Sequence, residues 1–264
     1  MTFDNICKFL AENFSSDFAT WLLGEPITLT ELSPKELSLE PIRADALILL
    51  QSEQNILHLE FQTQPDAEIP FRMIDYRLRV YRRFPDKTMH QVVIYLKQTN
   101  SDLVQQNTFT IAGTRHEFGV VRLWEQPTEV FLRTPGLLPF AVLSSTIDPE
   151  AVLNQVAQEI NSMTESRSQS NIAASTAILA GLVLDKEVIR RVLRSDIMRE
   201  SVIYQDILEE GKAEGKAEGK AEGKAEVASN LFNTGMPLEQ IARLTGLSID
   251  QLQYLQVTES DDSK

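Results

Sequence analysis

Apolar residues recur with two different periods along the first half of the chain, and these periods predict alternating helices and strands. Segment 3–23 repeats its apolar residues every three or four positions, which predicts an amphipathic helix that ends at Gly24. Segment 44–50 is apolar apart from Asp45, and segment 56–62 alternates between apolar and polar residues, so each predicts a β-strand. Because only a short polar stretch separates these two strands, we expect a β-hairpin.

One more helix and three strands complete the pattern of this half. Segment 69–84 has helical periodicity, and segment 91–96 is mostly apolar and β-branched, which is typical of a strand buried on both faces. Segments 107–113 and 118–124 predict two further strands. The order of these elements predicts an α/β fold, with a mixed sheet flanked by helices, in a domain that covers residues 1–148.

From residue 149 onward the apolar pattern is helical. We expect an all-α extension (149–208), a low-complexity linker of Gly-Lys-Ala-Glu repeats (209–228), a small helix-turn-helix-like module (229–256) and a disordered tail (257–264). An isolated repeat helix is marginal, because each Gly costs about 1 kcal/mol relative to Ala and like charges meet at i,i+4. The repeats are therefore either a solvated spacer or a helix that forms within a homo-oligomer.

The second helix of the C-terminal module, residues 248–256, has a composition that does not suit DNA reading. It contains no Lys or Arg and does contain Asp250. Since a recognition helix without a cation binds phosphate weakly, we expect this module to pack against protein instead.

Charge and composition narrow the choice of environment and partner. The formal net charge of −13 speaks against a general affinity for DNA, yet the short segment 72–83 holds five Arg and one Asp and predicts a local basic surface. The single cysteine, Cys7, cannot form an internal disulfide and fits a reducing compartment. The longest apolar run, 177–184, is far shorter than the ~20 residues that span a bilayer. We therefore expect a cytoplasmic protein with no membrane partner.

Two acidic side chains interrupt the predicted hairpin at positions that converge if the strands pair in register. Asp45 lies in the first strand, and Glu60 lies on the polar face of the second strand together with Gln62. A buried carboxylate is costly unless something compensates its charge. A divalent cation between Asp45 and Glu60 would compensate both charges, and so would separate ion pairs with Arg43, Arg72 or a lysine. The pattern leaves both arrangements open.

The helix predicted at 69–84 carries two distinct rows of side chains. One row is apolar, and we expect it to pack on the sheet: Phe71, Ile74, Leu78 and Tyr81. The other row offers guanidinium groups and a phenol that suit a DNA phosphate backbone: Arg72, Tyr76, Arg79 and Arg83. For Arg79 and Arg83 the alternative is a solvated basic face that is salt-bridged to neighbouring acids.

A long stretch of the chain resembles a known family. The segment IRADALILLQSEQNILHLEFQTQPDAEIPFRMIDYRLRVYRRF, followed by QVVIYL, is similar to the Rpn-type recombination-promoting nucleases and transposases of the PD-(D/E)XK nuclease superfamily. The opening FDNICKFL, the segment RVLRSDIMRESVIYQDILEEG, the glycine-charged repeats and the terminal GMPLEQIARLTGLS are similar to other parts of bacterial members. The resemblance implies a restriction-endonuclease-like fold.

The same resemblance implies a DNA endonuclease that hydrolyses phosphodiesters with Mg²⁺ or Mn²⁺ and is linked to recombination or transposition. The implied metal ligands are Asp45, Glu60 and the backbone carbonyl of Phe61. Gln62 falls at the superfamily's lysine position, where a neutral amide can orient the attacking water but cannot supply a cation. Asp4 matches the upstream acidic residue of the family.

Other assignments stay open at this point. Glu36 and Glu40 compete with Asp4 as the upstream acid, whereas Arg72 and Tyr76 match positions that the family keeps beside its active site. His58 shares a face with Glu60, but without a companion Cys we expect a satisfied strand histidine and no zinc site. The alternative for the whole chain is a catalytically silent interaction protein with a nuclease-like fold, which its acidic charge and helical tail would suit.

Overall fold

The structure is a computed structural model, and it describes residues 3–32, 47–193, 195–198, 201, 205, 223–225, 227–232, 236–249, 251–253 and 255. The chain divides into two compact units, Met1–Gln205 and Asp206–Lys264. The helices between residues 149 and 198 therefore belong to the same unit as the sheet.

Helices and strands alternate in the first unit and give way to helices after residue 123. The strands are β1 (Thr30–Glu31), β2 (Leu47–Gln51), β3 (Asn55–Gln62), β4 (Thr88–Tyr95), β5 (Thr108–Ile111), β6 (Thr114–Glu117) and β7 (Gly119–Arg122). The helices are α1 (Phe3–Asn13), α2 (Ser15–Leu23), α3 (Ile69–Arg83), α4 (Thr128–Phe131), α5 (Pro149–Ser162), α6 (Ser166–Ala180), α7 (Lys186–Val192) and α8 (Ser195–Met198). Short 3₁₀ helices cover Asp102–Gln105, Leu123–Glu125 and Pro135–Leu143.

A five-stranded mixed sheet with the order β1-β2-β3-β4-β7 forms the centre of this unit. Strand β2 pairs antiparallel with both β1 and β3, so the predicted hairpin is confirmed. Strands β3, β4 and β7 run parallel, and their carboxyl ends share one edge of the sheet. The general α/β class is confirmed by this mixed sheet between helices.

The sheet is covered on both faces. On one face, Ile56 and Met89 pack against Tyr76 and Val80 of α3. On the other face, the ring of Phe61 stacks on Phe140 of the 3₁₀ segment Pro135–Leu143, with 5.8 Å between ring centroids. Both faces of β3 are therefore buried, although its sequence alternates between apolar and polar residues.

Two predicted elements differ from those in the structure. The helix expected over 3–23 breaks at Phe14 into α1 and α2, and α2 ends as expected at Gly24, which has a left-handed φ of 83°. The strand expected over 107–113 is the first arm of a hairpin, β5–β6, which turns at Gly113 with a φ of 77°. Glycine adopts such angles without a Cβ clash, so Gly24 can end α2 and Gly113 can form the turn between β5 and β6.

The second unit is helical where it is described. Residues 227–232 are helical, and α9 (Leu238–Thr245) ends at Gly246, which has a left-handed φ of 68°. Ala228, Ile241 and Leu252 form its buried apolar cluster. Among the described residues of the whole chain, no helix has the length and apolarity that a membrane crossing requires.

The 3₁₀ segment Pro135–Leu143 closes the apolar face of the sheet, and Gly136 makes its close approach to α2 possible. Its amide donates a 2.8 Å hydrogen bond to Oδ2 of Asp17. A Cβ on Gly136 would overlap the Cβ of Phe14 and lie 2.8 Å from that same carboxylate oxygen. No flexible side-chain end could move away to relieve this overlap.

We predict that Gly136→Ala lowers the free energy of unfolding by about 1–3 kcal/mol or more, because overpacking forces the backbone apart. Urea denaturation followed by tryptophan fluorescence measures the change. Gly223→Ala is the control, since nothing lies within 4 Å of the added Cβ. Equal stability of the Gly136→Ala variant and the natural protein would contradict the packing described above.

Candidate active site

The polar side chains of interest lie at the carboxyl ends of the three parallel strands. Gln62, Tyr95 and Arg122 end β3, β4 and β7 and pair with one another in register. Side chains paired in this way point to the same face of the sheet, which here is the face covered by α3. The carboxyl ends of parallel strands are the usual place for ligand sites in open α/β sheets.

Glu60 is the most deeply buried carboxylate of this region, with only 2% of its surface exposed. Its Oε1 lies 3.0 Å from Nη2 of Arg72 and accepts a 3.2 Å hydrogen bond from Nε2 of Gln62. Arg72 also reaches Oδ2 of Asp66 with its Nη1, at 3.2 Å. Of the two arrangements left open by the sequence, the described residues show an ion pair between Glu60 and Arg72.

The Arg72–Glu60 contact is an ion pair without hydrogen-bond geometry. Nη2 and Nε of Arg72 are buried, yet neither has an aligned hydrogen-bond partner among the described residues. The side chain of Arg72 as a whole remains 33% exposed, and that of Asp66 is 35% exposed. Arg72 thus compensates the charge of Glu60 from the mouth of the site, while the carboxylate lies deeper.

A chain of polar side chains runs from Glu60 back through the layer between α3 and the sheet, and its first contact, between Glu60 and His58, is too long for a hydrogen bond. Nε2 of His58 lies 3.7 Å from Oε2 of Glu60. Nδ1 of His58 lies 3.0 Å from Nε2 of Gln91, which also donates a 2.8 Å bond to the backbone carbonyl of Met73 in α3. Oε1 of Gln91 lies 2.8 Å from Nε2 of His116 on β6.

The backbone carbonyl of Met73 determines where the protons of Gln91 and His58 lie in this chain. A carbonyl only accepts, so the Gln91 atom facing it must be the amide nitrogen, which has two N–H groups. Its second N–H then points at Nδ1 of His58, which must accept. His58 is therefore the neutral tautomer with its proton on Nε2, and that N–H faces Glu60.

Burial changes the acidity of three groups beside this chain. Burial first, and then the negative charge of Glu60, raise the pKa of Tyr76 above its usual value. Burial and the nearby charge of Asp66 raise the pKa of Tyr95 in the same way. Burial, followed by the positive charge of Arg77, lowers the pKa of His116. Both phenols therefore keep their protons at neutral pH, and His116 favours its neutral form.

Several predicted site residues fall outside the described part of the chain. Asp45, Glu36 and Glu40 are among the residues that the structure does not describe, so their relation to Glu60 stays a prediction. Asp4 lies in α1, and its side chain is likewise outside the description. The ligand role of the Phe61 carbonyl also stays a prediction.

The prediction of which face of α3 packs on the sheet is wrong. The buried side chains of α3 are Ile69, Pro70, Met73, Tyr76 and Val80. The predicted packing row points outward instead, with Phe71, Leu78 and Tyr81 all more than half exposed. The helix has apolar residues on two faces, and periodicity does not say which face meets the sheet.

The row proposed for DNA contact is correspondingly divided. Tyr76 is only 8% exposed and meets the ring of His58 edge-on at 5.2 Å, so it faces the sheet and not the solvent. Arg79 pairs with Asp75 at 2.9 Å, which is the salt-bridged alternative. Arg83 is exposed. Contact of these side chains with DNA stays a prediction.

The donors around Glu60 decide how well a metal ion fits. Within the described residues there is no cluster of three or more His, Cys, Asp or Glu side chains that could hold one. Both oxygens of Glu60 face N–H groups, from Arg72 and Gln62 on one side and from His58 on the other. Glu60 alone does not make a metal site, so a divalent ion would need Asp45 as well.

Comparison of the chain with protein-family models, with curated proteins and with solved structures yields no match. The geometry of the site is therefore what supports a function.

Sequence reasoning missed Gln91 and His116. Gln91 is 7% exposed and opens a segment that is otherwise apolar. A buried amide needs partners for its donors and its acceptor, so its position in a strand expected to be buried was a usable signal. His116 had no such signal, because its contact with Gln91 depends on how the β5–β6 hairpin folds over the sheet.

We predict that His58 carries its proton on Nε2 and that Gln91→Leu removes this preference. Long-range ¹H–¹⁵N NMR spectra distinguish the two tautomers, and the chain has only three histidines to assign. His90→Gln is the matched control, because it removes one histidine signal without touching Gln91. A proton on Nδ1 of His58 in the natural protein would contradict the hydrogen-bond chain.

The lowered pKa of His116 predicts a pH dependence of stability. The unfolded chain binds this proton more readily, so the contribution is complete above the unfolded pKa of about 6.5 and is lost as the pH falls below it. We expect the free energy of unfolding to fall less between pH 7.5 and 5.5 in His116→Gln than in the natural protein. Between pH 7.5 and 8.5 both proteins should behave alike, and a steeper fall in the variant would contradict this reasoning.

Proposed function

We propose that this protein is a Mg²⁺- or Mn²⁺-dependent DNA endonuclease in which Asp45 and Glu60 hold the ion and Gln62 orients the attacking water. The observation that carries the proposal is the buried Glu60, bonded to Gln62 two positions along β3, at the carboxyl ends of parallel strands. Leu47 of β2 pairs with Glu60, and Asp45 precedes Leu47 by two positions in the sequence. The family resemblance adds the link to recombination or transposition.

Arg72 is compatible with such a site, because it has two anionic partners. If a cation displaced it from Glu60, it would still be paired with Asp66. Asp66 already holds the other end of the guanidinium at 3.2 Å, and both side chains reach solvent. A cation at Glu60 would compete with Nη2 of Arg72 for Oε1. The displaced guanidinium would then be available to a phosphate, which it can bind with two parallel hydrogen bonds.

The chemistry expected of the site is modest. A bound divalent ion would polarise the scissile phosphate and make a water more nucleophilic. Gln62 can hold that water through its amide but cannot accept the proton at neutral pH. His58 carries its proton on Nε2, the nitrogen nearer Glu60, and its Nδ1 is occupied by Gln91, so it is not available as a base. We expect slower cleavage than a lysine at the position of Gln62 would support.

Incubation of supercoiled plasmid with the purified protein and Mg²⁺ or Mn²⁺ tests this function. Asp45→Ala and Glu60→Ala should each lower the cleavage rate by about 100-fold or more, or about 2.7 kcal/mol of activation free energy. Asp86→Ala is the control, since this carboxylate is exposed in the turn after α3. Undiminished cleavage in the Asp45 and Glu60 variants would end the assignment.

A catalytically silent interaction protein is the second candidate, and the Glu60–Arg72 pair is the observation that favours it. A carboxylate that is 2% exposed and already faces donors with both oxygens has no need of a metal. The net charge of −13 also opposes binding to DNA outside the local basic surface.

Calorimetric titration with Mn²⁺ separates the two candidates. The nuclease proposal predicts binding in the micromolar to low-millimolar range that disappears in Asp45→Ala and is strengthened in Arg72→Met, because the competing cation has been removed. A structural ion pair predicts no binding, together with a large loss of stability in Arg72→Met, since an unpaired charge is left buried.

A further inference from the structure

The outward face of α3 carries an apolar row whose side chains are largely exposed. Phe71, Leu78 and Tyr81 are 55%, 56% and 60% exposed, and Ile74 lies half-buried between them. Monomeric proteins seldom leave such a row of large apolar side chains in water, and exposed apolar patches commonly mark interaction sites. Phe71 has a partial cover, the ring of Phe109 in the β5–β6 hairpin at 6.0 Å.

The spacing of this row indicates what kind of surface would fit it. The four side chains follow one another at intervals of three, four and three residues, which is the a/d pattern of a coiled-coil seam. The row extends over ten residue steps, from Phe71 to Tyr81, or about 15 Å of helix. The opposite side of α3 packs on the sheet through Met73, Tyr76 and Val80, so the helix is held rigidly with its seam outward.

The charges beside the seam indicate the sign of the partner. Helix α3 contains five arginines and only one aspartate, and that aspartate is already paired with Arg79. Arg77 borders the seam, and its Nη1 donates to the backbone carbonyl of Met89, which carries no negative charge to compensate the guanidinium. Arg82 on the other border is exposed and has no ion-pair partner among the described residues.

We propose that the outward face of α3, formed by Phe71, Ile74, Leu78 and Tyr81, docks an amphipathic helix of another protein that has an apolar seam and acidic flanks. A partner of this kind satisfies both observations, since its apolar side chains fill the spaces of a three–four row and its carboxylates meet Arg77 and Arg82. The seam faces away from Glu60, so this proposal does not depend on the proposed nuclease function.

Two other occupants fit less well. A second copy of the chain would place arginines opposite the same arginines, and like charges across an interface repel each other. A nucleic acid would use the arginines, but its sugar-phosphate backbone offers nothing to four apolar side chains spaced as a helix seam. Of the five arginines, Arg72 and Arg79 are already paired with carboxylates.

The test uses the full chain and a synthetic helical peptide of about three heptads with Leu at positions a and d and Glu at positions e and g. Fluorescence anisotropy of the labelled peptide should show binding in the micromolar range. Leu78→Glu should weaken binding by at least about tenfold, as expected for an apolar residue in the middle of an interface. Ile147→Glu is the matched control, because Ile147 is fully exposed away from α3.

A charge exchange makes the test specific. Arg82→Glu should weaken binding of the acidic peptide and strengthen binding of a peptide with Lys at positions e and g. The natural protein should bind the acidic peptide more tightly than the lysine peptide. Equal binding of both peptides would overturn the proposal, since it would show apolar contact without charge selection. Failure of the natural protein to bind the acidic peptide would overturn it as well.

The competing occupants have their own signatures. Sedimentation that shows a dimer, reduced to a monomer by Leu78→Glu, would assign the seam to a second copy. Oligonucleotide binding lost in Leu78→Glu would assign it to nucleic acid. Plasmid cleavage and Mn²⁺ binding should be unchanged in Leu78→Glu, so a failure of this proposal and a failure of the nuclease proposal remain distinguishable.

Discussion

The buried charge of Glu60 is the constraint on which the arrangement of this sheet and its covering helix depends. A carboxylate at 2% exposure must have its charge compensated inside the fold, and Arg72 in the first turns of α3 supplies the compensation at 3.0 Å. Breaking such a pair from one side typically costs about 3–5 kcal/mol, because the remaining charge stays buried. The pair therefore sets where α3 lies above the end of β3, and Asp66 extends the same constraint to the preceding loop.

The two faces of the sheet are stabilised by different interactions. The face toward α1, α2 and the 3₁₀ segment is apolar, with Phe18, Phe61 and Phe140 in mutual ring contact. The face toward α3 contains a polar chain in which the one amide of Gln91 satisfies a backbone carbonyl and two histidines. A buried polar chain of this kind specifies one arrangement of its members, because any shift leaves donors or acceptors unpaired. The polar side chains around Glu60 lie on this second face.

Helix α3 has two roles that do not interfere. Its inner side meets the sheet through Met73, Tyr76 and Val80 and contributes Arg72 to Glu60. Its outer side presents the seam of Phe71, Leu78 and Tyr81. Because the two sides point in opposite directions, a partner bound outside would leave the surroundings of Glu60 unchanged. Binding of a protein partner and cleavage of DNA are therefore not exclusive proposals for this chain.

The sequence by itself determined the elements whose signal is local: the β2–β3 hairpin, the bounds of α3 to within one residue, and the glycine that ends α2. Periodicity and turn chemistry act between near neighbours in the chain, so they are visible without a fold. Only the tertiary structure decided which apolar side of α3 is buried, because Phe71 and Leu78 form as good a stripe as Met73 and Val80. It also decided that Glu60 meets Arg72 and that Gln91 meets His116 across 25 residues of chain. Those contacts depend on which elements the sheet brings together. From the sequence alone, an ion pair with an arginine and a bound metal ion compensate the charge of a carboxylate equally well.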